Sequence, residues 1–124
     1  MTVDDILRAY YAAYNACDQA ALAGLLHPEV VLRSALGEQH GREAYLATYC
    51  YMIGAFVDRM TPETIRVEGE VAIVAIHDSL TARADIADFM GRSVAEGEEI
   101  VLRLEGRYRV ADGRIVAIEI AAVG

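Results

Sequence analysis

The sequence predicts an α+β fold, with helices in the first half of the chain and antiparallel sheet in the second. Three observations carry this. Ile100 to Val110 alternates, with Ile100, Leu102, Leu104, Gly106, Tyr108 and Val110 on one dry face and Arg103, Glu105, Arg107 and Arg109 on a wet one. Ala111-Asp112-Gly113 then turns the chain into Arg114 to Val123, a second β-branched run, closing a hairpin. Upstream, Ile6, Leu7, Tyr10, Tyr11, Tyr14 and Cys17 recur at helical spacing.

The remaining elements follow in order. Thr2, with Asp5 three residues later, reads as an N-cap and an acidic first turn, so the first helix runs to about Ala16. Asp18 caps a shorter helix through Leu26, which His27-Pro28 stops because a residue before proline avoids the helical region. Val30 to Ser34 is a short strand, and Gly37 to Gly41 a loop. Arg42 to about Val57 is the third helix, with Tyr45, Tyr49 and Phe56 on one face. Pro62 opens a polar strand through Glu68, and Gly69-Glu70 turns it into a strand from Val71 to Thr81. The start of that strand, Val71 to Ile76, is apolar on both faces, as in a sheet covered on both sides. Asp85 to Gly97 is the least regular stretch.

At 124 residues the chain is expected to form one domain, 1–124, and a chain of this size buries roughly two-thirds of its extended surface. Its hydrophobic fraction of 55% is more than one core needs, which points to a pocket or a subunit interface. A net charge of −8 with no lysine argues against nucleic acid and against an anionic membrane surface. No apolar run approaches the ~20 residues of a membrane span, and no leader precedes the first helix, so a cytoplasmic protein is expected. Cys17 and Cys50 read as small apolar helix residues. No three His, Asp or Glu residues show metal-ligand spacing, no Ser-His-acid set suggests a nucleophile, and no glycine loop would cradle phosphate. Neither a metal nor another cofactor is expected. Tyr10 with Tyr14, and Tyr45 with Tyr49, share helical faces by four-residue spacing, and Tyr108 lies on the dry face of its strand. Apolar walls carrying a few phenols suit a small, mostly apolar ligand.

Several strings resemble the nuclear transport factor 2-like superfamily, which includes ketosteroid isomerase, SnoaL-type polyketide cyclases and limonene epoxide hydrolase. They are Tyr11-Ala12-Ala13-Tyr14-Asn15-Ala16-Cys17-Asp18, Leu26-His27-Pro28-Glu29-Val30, Gly41-Arg42-Glu43-Ala44 and Tyr108-Arg109-Val110-Ala111-Asp112-Gly113-Arg114-Ile115. The resemblance implies a curved, antiparallel or mixed sheet wrapped around the three helices as a cystatin-like cone, with an internal pocket and a homodimer through the outer sheet face.

What it implies for chemistry is uneven. In the ketosteroid isomerase pattern the oxyanion tyrosine falls on Tyr10 and a supporting tyrosine near Tyr49, but the base falls on Ser34 and the second acid near Gly106. A serine without an activating partner cannot take a proton from carbon, which disfavours steroid isomerisation. The SnoaL-type acid also falls near Gly106. In the limonene epoxide hydrolase pattern one of the two aspartates falls on Asp78, while the arginine becomes Ile76 and the second aspartate Ile120. Strand alternation sends Asp78 and His77 to opposite faces, so at most one enters the pocket; otherwise both are solvated where the strand leaves the core. Burial among Val74, Ile76 and Leu80 would raise the Asp78 pKa. The expected site is therefore Asp78 as acid or base, with Tyr10, Tyr14, Ser34, Tyr49 and Tyr108 contacting the ligand. Two functions fit: a cofactor-independent isomerase, cyclase or hydrolase acting on a small apolar or polyketide-like molecule, or a non-catalytic pocket protein or structural dimer.

Overall fold

A computed structural model describes residues 1–123. Three helices, α1 (Val3–Asn15), α2 (Gln19–Leu25) and α3 (Arg42–Ala55), pack against a six-stranded sheet. Its strands are β1 (Leu26–Ser34), β2 (Gly37–His40), β3 (Phe56–Glu68), β4 (Val71–Ala82), β7 (Glu99–Ala111) and β8 (Arg114–Ala122), in the order β2-β1-β8-β7-β4-β3. Only β1 and β8 run parallel, so the sheet is mixed. It is curved and unclosed. A separate hairpin, β5 (Ile86–Phe89) with β6 (Arg92–Val94), covers one end.

The local signals for α1 hold. Thr2 accepts from the Asp5 amide at 3.1 Å and Asp5 accepts from the Thr2 amide at 3.0 Å, a reciprocal capping box. Asp18 caps α2 through the Ala21 amide at 3.1 Å. At the final hairpin Asp112 and Gly113 have φ of 53° and 74°, the two left-handed residues of a turn whose twist matches its strands.

Four boundaries differ from the sequence expectation. The loop expected at Gly37–Gly41 is largely strand β2, formed because Val31 to Ser34 of β1 offers it a partner across a tight turn. Strand β1 starts at Leu26, and Pro28, lacking an amide proton, falls in the register irregularity between Leu26 and Val31. Helix α3 stops at Ala55. Arg83, far along the chain, ends it by donating Nε to the carbonyls of Ile53 at 2.9 Å and Phe56 at 3.1 Å. The following strand consequently begins at Phe56 rather than Pro62. The stretch from Asp85 to Gly97 contains the small β5–β6 hairpin. Cys17 and Cys50 are exposed, not apolar packing residues, and Cys17 lies past α1 at φ 56°.

The main core lies between the helices and the inner sheet face, from Ile6, Leu7 and Leu22 to Val74, Ile76, Tyr108, Ile115 and Ile118. A smaller cluster, including Phe56, Leu80, Phe89 and Val94, fixes the hairpin to one end. Asn15 ties α1 to the sheet: its amide nitrogen donates to the Met60 carbonyl at 2.7 Å and its oxygen accepts from the Met60 amide at 2.9 Å. Gly106 is a close approach, since a Cβ there would sit 2.6 Å from Cε1 of Tyr108 and 3.0 Å from Cδ1 of Ile76. The ring of Tyr108 thus occupies the place where the superfamily patterns put an acid. Gly106→Ala is expected to lower the unfolding free energy by about 1–3 kcal/mol, as for overpacking of a filled core. Urea denaturation checks this; an unchanged midpoint would show that the Tyr108 ring is free to move aside.

Candidate functional site

Alternation on two neighbouring strands builds the site. On β3, Phe56, Asp58 and Met60 point to the inner face; on β4, Ile76, Asp78 and Leu80 do. The register pairs Met60 with Asp78 and Asp58 with Leu80, which makes the two aspartates diagonal neighbours on one face. Both are buried, with 8% of Asp58 and 2% of Asp78 exposed. His77 projects from the opposite face and is half-buried, so Asp78 is the member of the pair that enters the core.

Asp58 is held from α1, where the Tyr14 hydroxyl donates to its Oδ2 at 2.7 Å. Oδ1 of Asp58 and Oδ1 of Asp78 are both buried without a protein donor. Two neighbouring carboxylates in an apolar setting cannot both stay ionised. Burial pushes the Asp78 carboxyl up to about 9, helped by the hydrogen bond and the charge of Asp58. A proton kept on Asp78 and shared with Asp58 removes the repulsion and gives the orphaned oxygens a donor. At neutral pH the pair therefore holds one proton, which the raised Asp78 pKa places on Asp78.

Asp78 opens onto a cavity of about 150 Å³. All of Tyr10, Tyr14, Ser34, Tyr49 and Tyr108 line it, as do Tyr45, Met60, Leu102 and Leu104. The phenols are tied to one another: Tyr11 donates to Tyr108 at 2.7 Å, Tyr10 shares a hydrogen bond with Tyr45, and Tyr49 donates to the Tyr14 carbonyl at 2.8 Å. Burial raises the pKa of each of these tyrosines, so they remain neutral hydroxyls. Ser34 spends its hydroxyl on the Leu36 amide at 3.2 Å and braces the β1–β2 turn. At the mouth, Leu36, Thr48, Phe89 and Met90 also border a shallow outer groove.

Sequence reasoning brought Asp78 and the tyrosines to one place but missed Asp58, because α3 was carried to Val57. The alternation Phe56-x-Asp58-x-Met60 was the available signal.

A family model for the SnoaL-like domain matches residues 7–118. The chain belongs to the SnoaL-like domain family. Among solved structures, this SnoaL-like domain is similar to IdmH of Streptomyces antibioticus, a candidate polyketide cyclase: 23% identity, TM-score 0.81, covering 98% of this chain and 92% of that one. A candidate polyketide cyclase from Sinorhizobium meliloti is 25% identical, with a TM-score of 0.73 and 94% of each chain covered. An LEH-like epoxide hydrolase from M. tuberculosis has the same fold at 15% identity, TM-score 0.79, covering 98% of this chain and 82% of that one. No protein of curated function matches. No helix among the described residues is long and apolar enough to cross a membrane.

The shared proton has a measurable consequence. The folded Asp78 pKa lies above the unfolded value of about 3.9, so between those two values the native state holds a proton that the unfolded state releases. This contribution to stability is full below the unfolded pKa and is lost as pH rises toward about 9. Asp78→Asn, which keeps a donor to Asp58, should gain stability relative to wild type as pH rises from 5 to 9. Denaturant melts at several pH values check this, and a constant difference between the two proteins would mean that Asp78 is ionised in the fold.

Proposed function

We propose that this SnoaL-like domain is a cofactor-independent acid–base catalyst acting on a small, mostly apolar molecule. The observation that carries the reading is the buried pair of Asp58 and Asp78, each with an oxygen lacking a protein partner, with Asp78 facing an apolar hollow that keeps its carboxyl protonated. Asp78 is the catalytic residue: its carboxylic acid gives a proton to an oxygen of the ligand as a bond to that oxygen breaks or polarises. The resulting Asp78 carboxylate then takes a proton back from carbon or water, so no proton is gained or lost over the cycle. Asp58 is a positioning residue. It acts through Asp78, keeping it protonated, and is itself oriented by Tyr14. Tyr10, Tyr14, Tyr49 and Tyr108 supply rings that orient the ligand, and Ser34 shapes the rim. Tyr108, which accepts from Tyr11, keeps its own hydroxyl proton for a ligand oxygen. Isomerisation, cyclisation and epoxide or lactone opening all use such a proton cycle, and polyketide-like ketones are among the fitting substrates.

For its assembly we propose a homodimer through the outer sheet face, where Val57 and Val101 are exposed.

A screen of small ketones, lactones and epoxides by ligand-detected NMR, followed by turnover assays, tests the activity. Asp78→Asn is expected to retain binding and lose turnover by about 10²–10⁴-fold, the usual worth of a positioned acid or base. Turnover in wild type should fall as pH rises toward about 9, and Asp58→Asn should move that fall to lower pH by removing the charge that holds the proton. Unchanged turnover in Asp78→Asn would remove it from the mechanism. Binding without turnover in wild type would make the domain a ligand carrier.

A further inference from the structure

The cavity has an electrical sign. No arginine or histidine lines it, although the chain carries eleven arginines and three histidines. Arg103, Arg107 and Arg109 all project from the wet face of β7. The pair Asp58–Asp78 keeps its negative charge with a phenol, Tyr14, as its one observed hydrogen-bond donor among the described residues. A buried anion without a cation is expensive, and a fold that keeps one leaves the counter-charge to come from elsewhere. The walls suit a cation as well. The rings of Tyr14 and Tyr49 meet edge to face at 4.8 Å, and Tyr10 lies 6.1 Å from Tyr14 and 5.5 Å from Tyr108, so clustered aromatic rings line the cavity that Asp78 also lines. Aromatic faces attract an ammonium group and give nothing comparable to a carboxylate.

We propose that the molecule bound in this cavity carries a positively charged nitrogen with small apolar substituents, seated against Asp78 among the tyrosine rings. The proposal rests on the same site as the acid–base reading and names the class of its ligand. A cavity of about 150 Å³ fits one benzene-sized group, and the open mouth between Leu36 and Met90 leaves room for a tail. Carboxylates and phosphates are excluded, because they would meet a like charge with no arginine to offset it.

With its proton in place the pair still carries one negative charge, so a bound cation offsets that charge while Asp78 keeps the proton that the acid–base cycle uses. The titratable groups near Asp78 are Asp58 from β3, Tyr11 and Tyr14 from α1 and Tyr108 from β7, while Tyr10 of α1 and Tyr49 of α3 are near Asp58. All the tyrosines stay neutral over the range in which the carboxyl pair changes charge.

Three probes of one shape family test this by calorimetry: benzyltrimethylammonium, benzyl alcohol and benzoate. The cation is expected to bind about tenfold or more tighter than the alcohol, and benzoate not measurably, since an unscreened charge decides affinity in a dry site. Affinity for the cation should change little from pH 6 to pH 8, where the pair keeps one proton, and that for the alcohol should stay flat. The double variant Asp58→Asn/Asp78→Asn should keep alcohol binding and lose the preference for the cation. The wild-type comparison stands even if that variant does not fold. Alcohol binding equal to or tighter than cation binding overturns the charge proposal and leaves the acid–base reading intact. If none of the three binds, the charge proposal falls, and the acid–base reading is decided by the turnover of the ketones, lactones and epoxides.

Discussion

One proton shared by two buried carboxyls is the constraint on which the site depends. It arises from backbone register: pairing Met60 with Asp78 puts Asp58 and Asp78 side by side on the inner face of the sheet. A one-residue slip between β3 and β4 would send one of them to the outer face. The register is secured from outside the sheet as well. Asn15 at the end of α1 grips both backbone groups of Met60, the residue paired with Asp78, and Tyr14 beside it holds Asp58. The helix that supplies the aromatic wall thus also fixes the position of the acid.

The tyrosine network gives this arrangement a stable boundary. Buried phenols need partners, and here they find them chiefly in one another, with Tyr11 bonded to Tyr108 and Tyr10 to Tyr45. Apart from Tyr14, which donates to Asp58, their hydroxyls are satisfied without a charged residue, so the cavity wall stays neutral apart from the carboxyl pair. Gly106 makes room for the Tyr108 ring. The Tyr108 ring lying over Gly106 makes this part of β7 an aromatic wall, and the carboxyls of the site come from β3 and β4.

Much of this was legible in the sequence, and what was not has identifiable physical causes. The alternation from Ile100 to Val110 and the Asp112-Gly113 turn are local signals, and the structure keeps both. Period-two alternation put Asp78 and His77 on opposite faces without choosing between them, and the structure turns Asp78 inward with the apolar even-numbered positions of β4. Strand β2 was hidden because Gly37-Glu38-Gln39-His40 has no apolar rhythm and becomes a strand only through its partner. Asp58 was hidden because Ile53 to Val57 fits a continuing helix as well as a starting strand, and the decision is made by Arg83, whose side chain reaches back to cap α3. A raised Asp78 pKa was legible in part, from burial among Val74, Ile76 and Leu80; the share that Asp58 adds was not, since it depends on a pairing between strands that the chain order alone does not align.

The most direct test of the central claim is the ionisation state of Asp78 in the resting protein, read by ¹³C NMR of labelled aspartate carboxyls with Asp78→Asn to assign the signal. The account predicts a protonated carboxyl at pH 7 that titrates far above the ordinary aspartate range, and that moves downward when Asp58 becomes Asn. A carboxyl already ionised at pH 7, titrating near the usual value of about 4, would contradict it.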